Sequence, residues 1–111
     1  MTVRELAERC GFSILCGSGD REVSGGIYCC DLLSIVMGRA PADCAWVTVM
    51  GNLNSIAVAV MADCACIVLA EGMPLDPEAK DRGDREDVAV LATSQPVYQA
   101  ARAIEEALKI V

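Results

Sequence analysis

The sequence predicts an α/β domain: a three-layer α/β/α sandwich around a mainly parallel, five-stranded sheet. Three observations lead there. Apolar runs of strand length alternate with stretches of helical periodicity along the chain. From Ile56 to Ala70 the only interruption of an apolar run is Asp63, so a helix and the strand after it must both be buried, one packed on the other. Most strands are separated by helices rather than tight turns, which calls for crossovers between parallel neighbours.

Thr2-Val3-Arg4-Glu5 reads as a capping box, and Val3, Leu6, Ala7 and Cys10 follow at helical spacing with Gly11 placed as the stop. A first helix over 2–10 follows. Phe12 to Cys16 reads as a short strand, Gly17-Ser18-Gly19-Asp20 as a turn, and Val23 to Cys30 as a second strand. Asp31 is expected to N-cap a helix carrying Leu32, Leu33, Val36 and Met37 inward, with Gly38 near its end and Pro41 barring continuation. The third strand is Cys44 to Met50, with Trp46 and Thr48 on one face and Ala45, Val47 and Val49 on the other. Asn52 or Asn54 then caps the central helix, and Cys64 to Ala70 is the fourth strand.

Nine of the fourteen residues from Pro74 to Asp87 are charged, which marks a solvated surface; Asp76-Pro77-Glu78 looks like a helix start that Gly83 ends early. Val88 to Ala92 is the fifth strand and Thr93-Ser94-Gln95-Pro96 a turn and cap. The last helix places Val97, Ala100, Ala101, Ile104, Leu108 and Val111 on one face, and Arg102, Glu105, Glu106 and Lys109 on the other. No repeat, linker or low-complexity tract divides the chain, so residues 1–111 are expected to form a single domain.

The hydrophobic fraction is 54% while aromatics contribute only 4%, so the core is built from Ala, Val, Ile, Leu, Met and Cys. Such surplus apolar surface in 111 residues predicts a homodimer, with the central apolar unit or a strand edge as interface. A net charge of −7 argues against nucleic acid and anionic membranes, which are bound by clustered Lys and Arg. Thr2 to Arg9 alternates charge with apolar residues, unlike a targeting segment, and the longest apolar run falls short of the ~18 residues of a membrane helix. A soluble cytoplasmic protein is expected.

Seven cysteines (Cys10, Cys16, Cys29, Cys30, Cys44, Cys64, Cys66) form no C-x-x-C pair and have no His beside them, so free thiols without metal are expected. An alternative metal or iron–sulfur set of Cys29, Cys30, Cys64 and Cys66 is opposed by geometry. On a strand Cys64 and Cys66 share a face, but Cys29 and Cys30 point to opposite faces. The fingerprint of a dinucleotide fold is also missing: Gly17-x-Gly19 would need a glycine where Glu22 stands, and a helix opening where the chain looks extended.

Catalysis finds little support. With no His, a Ser or Cys nucleophile lacks its usual base, and the one thiol near a helix start, Cys30, sits beside Asp31, which opposes its ionisation. Asp20, Glu22, Asp31 and Glu71 show no spacing that demands an acid–base pair. No cofactor is called for.

The runs Asp20-Arg21-Glu22-Val23-Ser24-Gly25-Gly26, Asp31-Leu32-Leu33-Ser34-Ile35-Val36-Met37, Gly51-Asn52-Leu53-Asn54 and Ile67-Val68-Leu69-Ala70-Glu71-Gly72, taken in order, resemble the DRTGG domain over nearly the whole chain. The resemblance implies a fold similar to the amino-terminal domains of HPr kinase/phosphorylase and of Mur ligases, in a module that occurs alone, beside CBS domains or within phosphate acetyltransferases. The chain departs from the family where many members read Gly-Asp-Arg, here Gly51-Asn52-Leu53, and Thr-Gly-Gly, here Ala70-Glu71-Gly72. A kinase role does not carry over, because no G-x-x-x-x-G-K-[ST] loop exists to hold a nucleoside triphosphate.

The function expected is thus a non-catalytic, ligand-sensing regulatory module that binds a small anionic metabolite or nucleotide. Its binding residues would be Gly51, Asn52 and Asn54, whose turn leaves backbone N–H groups free at a helix start. Possible neighbours are Gly25, Gly26, Glu71, Gly72, Thr93 and Ser94. The competing expectation is an interaction protein with no small ligand, such as the accessory of a redox or hydrogenase system that the resemblance implies for some stand-alone members. In that case one asparagine only caps the helix and the other holds the turn.

Overall fold

The computed structural model describes residues 1–110; Val111, expected on the apolar face of the last helix, lies outside the described residues. The strands are β1 (Ser13–Cys16), β2 (Ile27–Cys29), β3 (Ala45–Thr48), β4 (Cys66–Leu69) and β5 (Ala89–Ala92), and the helices α1 (Val3–Cys10), α2 (Leu33–Arg39), α3 (Leu53–Ala62), α4 (Pro77–Glu86) and α5 (Val97–Ile110). They follow one another in the expected order.

The sheet has the order β1-β5-β4-β3-β2 and is mixed rather than mainly parallel. β2, β3, β4 and β5 run parallel, with Ala45 opposite Cys66 and Cys66 opposite Ala89, but β1 pairs antiparallel with β5, Ser13 facing Ala92. The reversal begins at Gly11, left-handed at φ 72°, whose N–H closes on the Ala7 and Glu8 carbonyls. The chain turns back at once and enters along the free side of β5. Residues 17–26 then cross to the opposite edge, where β2 begins.

Side-chain alternation assigns the layers. Ala45 and Val47 of β3, Cys66 and Val68 of β4 and Leu91 of β5 pack under α1 and α5, against Val3, Leu6, Ala100 and Ile104. Trp46, Ile67, Leu69 and Val90 face the other way, under α2, α3 and α4, against Val36, Ile56 and Ala79. Trp46 is fully buried and its indole N–H donates to the Cys30 carbonyl at 2.8 Å, so the largest side chain of the core leaves no polar atom unpaired.

Several local expectations are corrected. Asp31 does not cap α2, whose N-cap position is Leu32 with no side-chain hydrogen bond. The Asp31 carboxylate instead accepts from the Thr48 hydroxyl at 2.8 Å and the Val49 N–H at 3.1 Å, because the ends of β2 and β3 lie side by side. Helix α4 passes through Gly83 to Glu86. Gly83 is needed for packing, not termination: a Cβ there would lie 2.6 Å from Cys16 Sγ. β2 is shorter than expected, because the Val23 and Gly25 amides are spent outside the sheet, on the Met1 and Asp43 carbonyls. Cys64 precedes β4, its N–H still closing α3 on the Ala59 carbonyl, so it does not share a face with Cys66. Its Sγ lies 3.8 Å from Cys44 Sγ in the α2–α4 layer, while Cys66 lies in the other.

The long β1–β2 connection is tied down by charge. Arg21 spans the turns before β3 and β4, donating to Asp43 Oδ1 at 2.7 Å and to Asp63 Oδ1 and the Asp63 carbonyl, both at 2.8 Å. Asp43 and Asp63 both have φ 61°, a conformation their short side chains tolerate.

Candidate functional site

Four parallel strands end at one edge of the sheet, where their exit loops gather. In parallel α/β sheets this carboxyl edge is the usual place for a ligand. The expected site residues divide by which edge they occupy.

Gly51, Asn52 and Asn54 follow β3, Glu71 and Gly72 follow β4, and Thr93 and Ser94 follow β5, all on the carboxyl edge. Gly25 and Gly26 precede β2, and the Gly26 carbonyl accepts from Ala45, the first residue of β3. They therefore sit at the amino edge, apart from the other seven. Gly25 has a packing reason of its own, since a Cβ would lie 1.9 Å from the Ala42 carbonyl oxygen.

The exit loops of β4 and β5 are knitted together. Glu71 N–H donates to the Gln95 carbonyl at 2.8 Å and Gly72 N–H to the Thr93 carbonyl at 3.0 Å. Glu71 and Gly72 are both left-handed, at φ 63° and 68°, which turns the chain sharply enough to make these bonds. The Glu71 carboxylate then accepts from Val97 N–H at 2.9 Å, capping α5 from another loop. Beside this junction lies an open cleft of about 340 Å³, lined by Gly11, Ser13, Gly72, Met73, Ala92, Thr93 and Ser94. No lining residue is charged, so the cleft offers hydroxyls and backbone groups.

The Gly51–Asn54 turn is a separate and more closed feature of the same edge. Asn52 accepts from Ser55 N–H at 3.0 Å, Ser55 Oγ donates to the Met50 carbonyl at 2.5 Å, and the Gly51 carbonyl accepts from Asp76 N–H at 2.8 Å. Asn52 is thus the cap of α3. A Cβ on Gly51 would lie 2.3 Å from the Pro74 carbonyl oxygen, so the chain before α4 roofs the glycine. Asn54 is exposed.

Gly11, Ser13, Met73 and Ala92 were not among the expected site residues. The first two reach the cleft only because β1 pairs antiparallel with β5, a long-range choice that no local pattern around them signals. Asp31 is a further polar group on this edge, held by Thr48 and Val49.

Cys16, Cys44, Cys64 and Cys66 are buried, Cys10 and Cys30 half-buried and Cys29 exposed, and none lines the cleft. Burial pushes Cys66 up to about 12 from an ordinary 9.0. Cys64 is raised, first by its hydrogen bond with Cys44 and then by burial, and the same bond pulls Cys44 down. Among the described residues no group of three or more His, Cys, Asp or Glu is placed to hold a metal ion, and no helix is long and apolar enough to cross a membrane.

The family model of the DRTGG domain matches residues 5–107. Among solved structures, the CBS and DRTGG domains of the regulatory region of Clostridium perfringens pyrophosphatase, complexed with the activator diadenosine tetraphosphate, superpose with a TM-score of 0.77 at 9% identity. The match covers 96% of this chain and 46% of that one, so this chain spans less than half of the matched structure. At that identity the likeness is one of fold. No curated protein sequence matches the chain.

Proposed function

This chain belongs to the DRTGG domain family, and from that premise we propose that it is a non-catalytic regulatory module that senses a nucleotide or other small anionic metabolite and works as a homodimer. The observation that carries the ligand reading is the carboxyl-edge cleft bounded by Gly72, Thr93 and Ser94, set where the exit loops of β4 and β5 meet. Its uncharged lining of hydroxyls and backbone groups suits a ribose or base. The Gly72, Met73 and Thr93 N–H groups are spent on the Thr93, Ala70 and Leu69 carbonyls and Glu71 caps α5, so the Ser13, Thr93 and Ser94 hydroxyls would make the polar contacts.

Further support is indirect. The fold neighbour is part of a regulatory region crystallised with a dinucleotide activator. The sequence contains neither His nor a phosphate-binding P-loop, which favours sensing over turnover. Seven thiols without a disulfide among the described residues suit the reducing cytoplasm. The whole of residues 1–111 is read as one module.

Thermal unfolding in the presence of AMP, ADP, ATP, diadenosine tetraphosphate and acetyl phosphate tests the reading. A true ligand at about 100 times its Kd adds roughly 2.7 kcal/mol of stability and raises Tm by about 10 °C. Ser94→Glu, which puts a carboxylate into the cleft on an exposed position, should abolish that shift while leaving the ligand-free Tm nearly unchanged. If none of these compounds at millimolar concentration moves Tm, the ligand reading falls.

A further inference from the structure

We infer that the outer face of the α2–α3 layer is where a second copy of this chain docks; the inference rests on the dimer proposed above and gives it a surface. Among the described residues eight large hydrophobic side chains are exposed, and five of them belong to this one layer: Leu32 at the N-cap of α2 and Met37 on α2, both expected to face inward, Ile35 on α2, and Val60 and Met61 on α3. The other three, Ile14, Met73 and Tyr98, lie on other elements. Scattered exposed apolar residues are ordinary, but a concentration on two packed helices is not.

Helix α3 is unusual in its own right. Leu53–Ala62 contains no ionisable residue, and beside Asn54 its solvent side carries Val60 and Met61, Met61 being 69% exposed. A helix with so apolar an outer side is suited to being covered. Its inner side is already covered by the sheet, which leaves the outer side for a partner.

Charge decides in favour of a second copy. The chain carries a net −7, so most ways of apposing two molecules bring carboxylates together. α4 and α5 are dense in charge, and their lysines and arginines already pair along the helix, as in Lys80–Asp84, Arg82–Glu86, Arg102–Glu106 and Lys109–Glu105. Within its two helices the α2–α3 face carries only Arg39, with Asp31 and Asp63 at its ends, so a two-fold contact through its middle brings few carboxylates together. A heterologous partner chosen by charge would find nothing here to read.

The area also fits. The five side chains expose on the order of 450 Å² of apolar surface, rather more than half of the ~800 Å² that each partner gives to a standard interface. Homodimer interfaces are about 65% apolar, so this patch comes near the ~520 Å² of apolar surface one partner would give, with Ser34 and Asn54 on its rim. The competing edge of β2 is only three residues long, too short a ladder to hold a dimer by strand addition.

Sedimentation velocity across micromolar concentrations, on wild type, Met61→Glu and Tyr98→Glu, tests this. The Met61 and Tyr98 side chains are both exposed, so neither change threatens folding, which circular dichroism verifies. Wild type and Tyr98→Glu should be dimers, and Met61→Glu should dissociate at least about a hundredfold more readily, as expected when a carboxylate is placed at an interface centre. A dimer that Met61→Glu and a second variant, Val60→Asp, leave intact overturns the surface but not the dimer. A monomer in wild type at every concentration overturns both.

Discussion

The Glu71 carboxylate accepts a hydrogen bond from the backbone N–H of Val97 at 2.9 Å, so the loop leaving β4 supplies the cap of the helix that follows β5. Helix ends strand several N–H groups, and satisfying one with a charged acceptor adds a favourable dipole contact. Glu71→Ala should therefore cost about 1 kcal/mol, readable as a lower urea midpoint with unchanged slope. Glu71→Gln keeps an oxygen acceptor and should retain most of that stability. Equal losses for Ala and Gln would mean that the charge, not the hydrogen bond, does the capping.

At the start of α3 the two asparagines should behave differently. Asn52 accepts from Ser55 N–H, and Asn52→Ala should cost roughly 0.5 to 2 kcal/mol in chemical denaturation. Asn54 is exposed, and Asn54→Ala should fall within about 0.5 kcal/mol of wild type. Reversal of that order would reassign the cap.

Gly83 and Cys16 form a steric pair. An added Cβ at 2.6 Å from Cys16 Sγ must push either α4 or β1, whereas alanine in a helix is otherwise favoured by up to ~1 kcal/mol over glycine. Gly83→Ala should lose about 1–2 kcal/mol net, and Cys16→Ala in the same chain should recover most of it. A double-mutant cycle measures the coupling, and a value near zero would show that the helix simply shifts.

Stability should decline in alkaline solution. An unfolded thiol ionises near 9.0, while Cys66 is held protonated up to about 12 by burial, so between those values the unfolded chain has released a proton the folded chain retains. Unfolding is then favoured as pH rises, by about 1.4 kcal/mol per pH unit for each such group. Cys64 acts in the same direction and Cys44 against it. Urea titrations from pH 8 upward should show this slope, and Cys66→Ala should be flatter by roughly one proton's worth. An unchanged slope in the variant would place the loss elsewhere.

Much of the architecture was legible in local residues. The Thr2–Glu5 capping box, the alternation at Ala45, Trp46 and Val47, and the apolar run from Ile56 to Ala70 act through neighbours in sequence, so pattern alone finds them. What failed was long-range. The direction of β1 depends on which edge is left free by β5, and the role of Asp31 depends on Thr48 lying across from it. Gly83 looked like a stop because glycine weakens a helix, yet a thiol from β1 required the missing side chain. The candidate cleft followed the same rule: Gly72, Thr93 and Ser94 mark strand exits that sequence can place, while Gly11 and Ser13 arrive through the pairing of the two ends of the chain. The glycines at 25 and 26 had the composition of a binding turn but the wrong edge.

The pairing of β1 with β5 bears on how this chain is made. The first strand synthesised hydrogen-bonds to the last, Ser13 to Ala92 and Ile14 to Leu91, with every other strand emerging in between. On the ribosome, β2, β3 and β4 can zip in order of appearance, whereas β1 must wait for some seventy-five residues of translation before its partner exists. During that interval α1 has no α5 to rest on, and its apolar face of Val3, Leu6 and Ala7 stays open to chaperones. The first helix and strand are thus the last part of this domain to become protected, although they are made before the rest of it.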